Sequence, residues 1–385
     1  MKIFIIAGET SGDQLGASII QALRAAYAPA QIELRGIGGD NLREVGLTQS
    51  LFPMSDLSIM GIAEILPKIP QILKRIDQTV TAITLYNPDL IITIDAPDFC
   101  FRVLKKLQNK KLKSKKIHVV APSVWAWREG RAQKIAKLLD GLLCLLPFEP
   151  PYFEKEGLHT AFMGHPIVNS SIAHANGNAF RFRHVISMEQ PTCGIFFGSR
   201  TSELKYHTDI FLDIAQKIQE QIPDIIFIAP TLPKFKDQIV QEFRTRGLKA
   251  IVTSDRAEKD EAIAACNIAL NVSGTIGLEL SIANVPHVMA YKFQKLSYFI
   301  AKMMVKTKYG HLTNIIMDEE IIPEFLQDDV DADIIANRLI NLLNTQHIRQ
   351  KQIQAFQIVK DRLTPDNAQK NSANKAAEFI LSFLN

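Results

Sequence analysis

The chain has 385 residues, 47% hydrophobic and 22% charged, with a formal net charge of +4. That length exceeds one ordinary core and suits two domains, and the balance is that of a soluble globular protein, not a disordered one. The mild positive charge suits phosphorylated or anionic ligands; no zinc-finger spacing, RNP-like aromatic motif or strongly basic helix calls for nucleic acid.

The first apolar run, Ile3-Phe4-Ile5-Ile6-Ala7, is too short for a signal peptide and is followed at once by Gly8-Glu9, so Lys2–Ala7 reads as a buried first strand. Further strands are expected at Leu90–Ile94, Lys116–Ala121, Gly141–Leu145, Gly194–Phe197, Ile225–Ala229, Ala250–Thr253, Ile268–Asn271 and His287–Ala290. Most are unbroken Ile- and Val-rich runs, as in strands covered on both faces of a parallel sheet. Helical windows fall between them at Gly12–Ala28, Met60–Leu85, Arg131–Leu138, Ser202–Gln221, Lys234–Arg246, Ala257–Ala265 and Thr275–Ala283. No stretch reaches the roughly 18 consecutive apolar residues of a membrane span, which predicts a cytoplasmic or peripheral protein. The four cysteines, Cys100, Cys144, Cys193 and Cys266, form no CxxC pair and read as reduced core thiols.

The alternation predicts the α/β class, with two Rossmann-like domains whose parallel sheets face a cleft. The strand-helix series runs twice, giving domains at 1–168 and 190–347, with the polar stretch Asn169–Gln190 between them. The last segment, 348–385, is helical; periodicity leaves open whether it packs on the second domain or returns to the first.

Ligands of open parallel sheets gather at the carboxyl ends of strands, which selects the residues to weigh. After the first strand, Gly8-Glu9-Thr10-Ser11-Gly12-Asp13 makes a glycine turn into a helix whose N-terminus can face an anion or hydroxyls, with Glu9 and Ser11 as substrate-binding candidates in it. It is neither GxGxxG nor a P-loop, and a turn without a ligand fits equally well. After Leu90–Ile94 stand Asp95 and Asp98, which suit general base work, although Asp98 also reads as the cap of a helix starting at Phe99. Two carboxylates alone are weak support for a metal. Pro122-Ser123-Val124-Trp125-Ala126-Trp127-Arg128 holds both tryptophans; Trp127 beside Arg128 suits a sugar or an acyl chain, core packing being the alternative. His165 lies at the domain junction and as a lone histidine is most simply structural.

In the second half, Gly198-Ser199-Arg200 follows a strand and suits a diphosphate gripped by Arg200; a surface ion pair is the alternative. At Ser273-Gly274-Thr275 a helix start offers backbone N–H groups, and Glu279, one turn on, could accept from ribose hydroxyls. Two apolar segments flanked by lysines, Leu51–Leu73 and Leu296–Val305, suit an anionic membrane surface or simply a core.

Together these blocks resemble the lipid-A-disaccharide synthases, nucleotide-sugar glycosyltransferases of the two-Rossmann (GT-B) class. The resemblance also rests on Met60-Gly61-Ile62-Ala63-Glu64, Leu146-Pro147-Phe148-Glu149, Gly164-His165-Pro166 and Ile322-Pro323-Glu324-Phe325-Leu326-Gln327, and it spans most of the chain in order. It departs at Phe196-Phe197, at Thr201-Ser202-Glu203, and at Gly277 and Ser281. It implies an acceptor- and lipid-binding first domain and a second domain that binds the UDP-sugar. The implied reaction is transfer from UDP-2,3-diacylglucosamine to the 6-hydroxyl of 2,3-diacylglucosamine 1-phosphate (lipid X), with inversion. Asp98 is then the base and Arg200 the diphosphate ligand, with Glu279 on the ribose and Asn314 and Gln327 near the nucleotide. No metal or cofactor is required, the expected surroundings are the cytoplasmic face of an anionic inner membrane, and a homodimer is left open. Two other classes remain to be separated from this one: a UDP-sugar 2-epimerase and a non-catalytic nucleotide-sugar binding protein.

Overall fold

Short apolar runs become strands here because helices cover them on both faces. In the computed structural model, which describes residues 1–27, 32–57, 68–127, 130–272, 274–292, 307–365 and 371–384, Lys2–Ala7 forms β1, followed by α1 (Thr10–Ala26), β2 (Glu33–Ile37), α2 (Asp40–Glu44), α3 (Ile69–Tyr86), β3 (Leu90–Ile94), α4 (Pro97–Leu107), β4 (Lys115–Val119), α5 (Arg131–Ala136), β5 (Gly141–Cys144), α6 (Pro151–Glu154) and β6 (His159–Phe162). A second series follows: α7 (Gly177–Arg183), β7 (Thr192–Phe196), α8 (Thr201–Gln221), β8 (Ile226–Pro230), α9 (Lys236–Thr245), β9 (Ala250–Thr253), α10 (Lys259–Ala264), β10 (Ile268–Asn271), α11 (Thr275–Ile282), β11 (His287–Tyr291), α12 (Leu312–Met317), β12 (Glu324–Leu326), α13 (Ala332–Asn344), α14 (Gln346–Leu363) and α15 (Ser372–Leu381). All nine expected strands are present, each within two residues of its expected ends. Residues 60–67 of the expected window Met60–Leu85 and all of Leu296–Val305 lie outside the described residues.

Two compact units result. One comprises Met1–Pro166 with Leu363–Asn385, the other Ile167–Arg362. Each holds a six-stranded sheet, ordered β2-β1-β3-β4-β5-β6 in the first and β12-β11-β10-β7-β8-β9 in the second, and every ladder is parallel. The chain therefore reverses its direction of travel across the sheet between β1 and β3, and again between β7 and β10. Those reversals open a crevice at the carboxyl ends of the strands, where such folds bind ligands. Cores form on both faces of each sheet: Ile3, Ile5, Ile92 and Ile94 pack under α1 and α15, while Phe4, Ile6 and Ile91 pack under α3 and α4. All four cysteines are free and buried.

The C-terminal helix α15 belongs to the first unit. Ala376, Ala377, Phe379 and Ile380 complete the core beside α1, and Phe379 and Phe383 lie against Gly141, where a Cβ would come within 2.6 Å of the Phe383 ring. The polar stretch 169–190 is ordered on the second unit. Its anchor is Arg181, 4% exposed, whose guanidinium donates to the carbonyls of Ala265, Ser187 and Gln190, to Thr192 Oγ1 and to Asn267 Oδ1 at 2.7–3.2 Å. A buried charge is tolerated only when its donors are satisfied, and here they are.

Arg181→Met should therefore leave several carbonyls without donors and lower stability by about 3 kcal/mol, read as a lower urea midpoint. Phe182→Ser, at the exposed neighbouring position, should change it by less than about 0.5 kcal/mol.

Candidate active site

In the first unit the reversal lies between β1 and β3. The glycines of the turn after β1 allow α1 to approach β3: a Cβ at Gly8 would stand 2.5 Å from that of Ala96, and one at Gly16 2.9 Å from Ile94 Cδ1. Asp13, 1% exposed, is not turned to a ligand. Its carboxylate accepts from the amides of Gly39, Asn41 and Leu42 and from Asn41 Nδ2 at 2.6–3.3 Å, satisfying the start of α2. Glu9 is the extended residue before α1 and is half-buried; Ser11 is exposed in its first turn.

Strand β3 ends in two consecutive left-handed residues that are not glycine, Asp95 (φ +52°) and Ala96 (φ +43°). Each such residue costs about 1–3 kcal/mol. Asp95 offsets part of this by accepting from the Ala96 amide at 2.8 Å, while its own amide donates to Val119 O at 3.1 Å. The sharp turn starts α4 at Pro97, with Ala96 as the residue before it and no side-chain cap. Asp98 is thus not the cap of a helix starting at Phe99. It sits in the first turn with its side chain 85% exposed, and its Oδ1 accepts from Arg131 Nη2, at the start of α5, at 3.1 Å.

The tryptophan block follows β4, past another left-handed residue, Val120 (φ +75°). Trp125 is half-buried: its indole N–H donates to Glu149 Oε1 at 3.1 Å and its ring meets Phe148 edge-on at 5.2 Å. Glu149 Oε2 accepts from the amides of Leu145 and Leu146 at 3.2 and 3.0 Å, just past β5. Burial pushes the Glu149 carboxyl up to about 7, against the pull of those three hydrogen bonds. Glu149, the clamp on the tryptophan loop, ends the block Leu146-Pro147-Phe148-Glu149, whose sequence carries no sign of burial. Trp127 is 38% exposed, and Arg128 lies outside the described residues. His165 follows a left-handed Gly164; its amide donates to Leu363 O at 2.9 Å, and burial lowers its imidazole to about 4.

In the second unit the reversal lies between β7 and β10. The turn after β7 contains Gly198 (φ +99°), and α8 begins at Thr201. The amides of Ser199 and Arg200 both donate to Glu203 Oε2, at 2.8 and 3.1 Å, and Arg200 Nη1 meets Glu203 Oε1 at 3.3 Å. The chain's own carboxylate therefore occupies the anion seat of this turn. The Arg200 side chain remains 54% exposed. After β10, Gly274 (φ +81°) leads α11; Gly274 and Thr275 are exposed, while Ser273 lies outside the described residues. Glu279, half-buried on α11, receives Lys259 Nζ on both oxygens at 2.8 and 2.7 Å.

The remaining two assignments sit elsewhere on this unit. Asn314, fully buried in α12, donates to Ile322 O and Glu324 Oε1 and accepts from the amides of Ile321 and Ile322 at 2.7–2.9 Å. It ties the chain before β12 to α12. Gln327 is a half-buried, left-handed residue (φ +57°) directly after β12, two strands from β10. The structure thus gathers Ser199, Arg200, Thr275 and Glu279 around one reversal and Glu9, Ser11, Asp95 and Asp98 around the other. Among the described residues no three His, Cys, Asp or Glu side chains converge as a metal would require.

The family model described as lipid-A-disaccharide synthetase matches residues 3–380. A lipid-A-disaccharide synthase from Rhodospirillum centenum is 41% identical over 384 residues, covering 100% of this chain and 95% of the relative. One from Paramagnetospirillum magneticum is 38% identical over 386 residues, covering 100% and 98%. Among solved structures, UDP-GlcNAc 2-epimerase from Neisseria meningitidis bound to UDP-GlcNAc superposes with a TM-score of 0.63 at 11% identity, covering 100% of this chain and 99% of that one. Acinetobacter baumannii MurG gives 0.56 at 12% identity, covering 99% of each chain. At such identities the structural likeness speaks for the fold alone, whereas the match in sequence extends through nearly every block described above. The resemblance read from the motifs is borne out: the chain belongs to the lipid-A-disaccharide synthetase family of glycosyltransferases.

Proposed function

We propose that this chain joins UDP-2,3-diacylglucosamine to 2,3-diacylglucosamine 1-phosphate, releasing UDP and a β-1,6-linked disaccharide 1-phosphate. The reading rests on one observation beyond family membership. An exposed carboxylate, Asp98, stands at the reversal of the first sheet, while an exposed guanidinium and a glycine-led helix start stand at the reversal of the second.

In this reading the acceptor 6-hydroxyl attacks the anomeric carbon of the donor sugar as its proton passes to Asp98. The bond to the UDP oxygen breaks on the opposite face, its electron pair leaves with UDP, and the α-linked donor yields a β-linked product. Arg200 and the start of α11 stabilise the charge that develops on the diphosphate. The donor's phosphate draws the half-exposed Arg200 side chain from Glu203, and the ribose hydroxyls donate to Glu279 beside Lys259. Arg131 orients Asp98, and Glu149 holds Trp125 beside the acceptor. Both substrates carry acyl chains, so the reaction would run at an anionic membrane surface. There the exposed Ile69 and Leu73 of α3, flanked by Lys68 and Lys74, would make contact.

Asp98→Asn should lower kcat by about 10²–10⁴-fold, the usual contribution of a general base, with an unchanged urea midpoint. UDP release and disaccharide formation followed by mass spectrometry provide the measurement. Unchanged turnover would remove Asp98 from the role, and conversion of the UDP-sugar without consumption of acceptor would favour an epimerase. Arg200→Ala should raise the donor KM by about ten- to a hundredfold, the loss of a charge-assisted hydrogen bond, and leave the acceptor KM near its parent value.

A further inference from the structure

His287 opens β11 and His311 precedes α12, and both rings are buried. Their hydrogen bonds fix their tautomers. His287 Nδ1 faces the carbonyl of Val285 at 2.8 Å and so carries the hydrogen, which leaves Nε2 as an acceptor. His311 Nδ1 accepts from the Thr313 amide at 3.1 Å, so its Nε2 carries the hydrogen and donates to His287 Nε2 at 3.0 Å. All four ring nitrogens are engaged, and burial lowers His287 to about 4 and His311 well below the ordinary histidine value. The His287 ring is in turn stacked on Phe356 at 5.6 Å. From the other side, Glu324 accepts from the amides of Gly310 and His311 at 2.7 and 2.9 Å. The His311 ring is thus held through both nitrogens and its backbone through Glu324.

That ring lies over α11 at Gly277. A Cβ there would stand 2.2 Å from His311 Nε2, 2.9 Å from Cδ2 and 3.0 Å from Cε1. One turn further along, Ser281 Oγ meets Thr313 Oγ1 at 2.7 Å. A ring in a notch and a hydroxyl pair therefore seat α11 on residues 311–313. The same helix carries Thr275 at its start and Glu279 between the two contacts.

We propose that His311, lodged in the notch at Gly277, is a positioning residue for the donor nucleotide. It sets the pose of α11, and so of Thr275 and Glu279, without touching the ligand itself. The inference rests on the reading that the second unit holds the UDP-sugar.

The test compares the parent, Gly277→Ala, His311→Ser and the double variant by UDP titration calorimetry and by separate KM values for donor and acceptor. Serine is chosen because it clears the notch while retaining an oxygen for the Thr313 amide. In Gly277→Ala the UDP Kd and the donor KM should rise by about tenfold or more, with the acceptor KM unchanged. His311→Ser alone should raise the UDP Kd and the donor KM by about fivefold or more, and in the double variant the added methyl should cost nothing further, both values matching those of His311→Ser within about twofold. Parent-like UDP binding by folded Gly277→Ala or by folded His311→Ser, an equal rise in both KM values, or a double variant in which the two losses add would each overturn the proposal. If Gly277→Ala does not fold, a double variant that folds and binds UDP as His311→Ser does supports it, and one that folds and binds more weakly than His311→Ser overturns it. Failure of the parent itself to bind UDP would instead bring down the donor-site reading, and this inference with it.

Discussion

Helix α1 lies so close to β3 that no side chain fits between them at positions 8 and 16. Gly8 abuts Ala96 and Gly16 abuts Ile94, so the glycine-rich turn serves to bring the end of β1 against the end of β3. That approach forces the chain leaving β3 into two left-handed residues, Asp95 and Ala96. The same turn starts α4 at Pro97 and leaves Asp98 exposed at the reversal. Packing density thus decides where the carboxylate stands. The cost of the backbone turn is consistent with strain collecting where chemistry is done.

The second unit uses the same device with different chemistry. Its notch, at Gly277, admits the ring of His311 in place of a neighbouring strand residue. In both units an absent Cβ fixes a helix whose start lies at a reversal. A single added methyl would then act far more strongly at these two helices than at the exposed Gly130, where a Cβ meets nothing within 4 Å.

Much of this was legible in the sequence, and the omissions have a common cause. Continuous apolar runs located the nine expected strands because burial on both faces leaves no room for polar residues. The three that escaped, β2, β6 and β12, are all edge strands. Glu33, Arg35 and His159 stand in them with exposed positions, which breaks the apolar run. The carboxyl ends of strands could be read from the sequence, but not which ends are neighbours. Strand order comes from pairings between distant segments, so the adjacency of β7 and β10, which lead to Arg200 and Glu279, was not visible. Nor was the burial of Asn314 or Glu149, because short polar residues among loops look alike whether they face water or bind amides. Asp98 read as a helix cap for the same reason: the pattern Pro97-Asp98-Phe99 does not reveal that the helix has already begun.

The charged groups separate into two kinds once their surroundings are known. Asp13, Glu149 and Arg181 are buried and each makes three or more hydrogen bonds, so removing one strands several partners in the interior. These hold the scaffold. Asp98 and Arg200 are largely exposed and Lys259 partly so, and each meets an oppositely charged neighbour of this chain: Arg131, Glu203 and Glu279. In each pair one partner faces solvent at least in part, so a phosphate or a sugar hydroxyl can reach it. Each pair also keeps its long side chain near the geometry that the ligand needs, which lowers the entropy lost on binding. A charge at a sheet reversal that faces solvent is therefore a better candidate for substrate contact than one that is buried. By that criterion Arg200 stands ahead of Asn314 as a ligand of the donor, and Asp98 ahead of Asp95, whose carboxylate is already turned onto the adjacent amide.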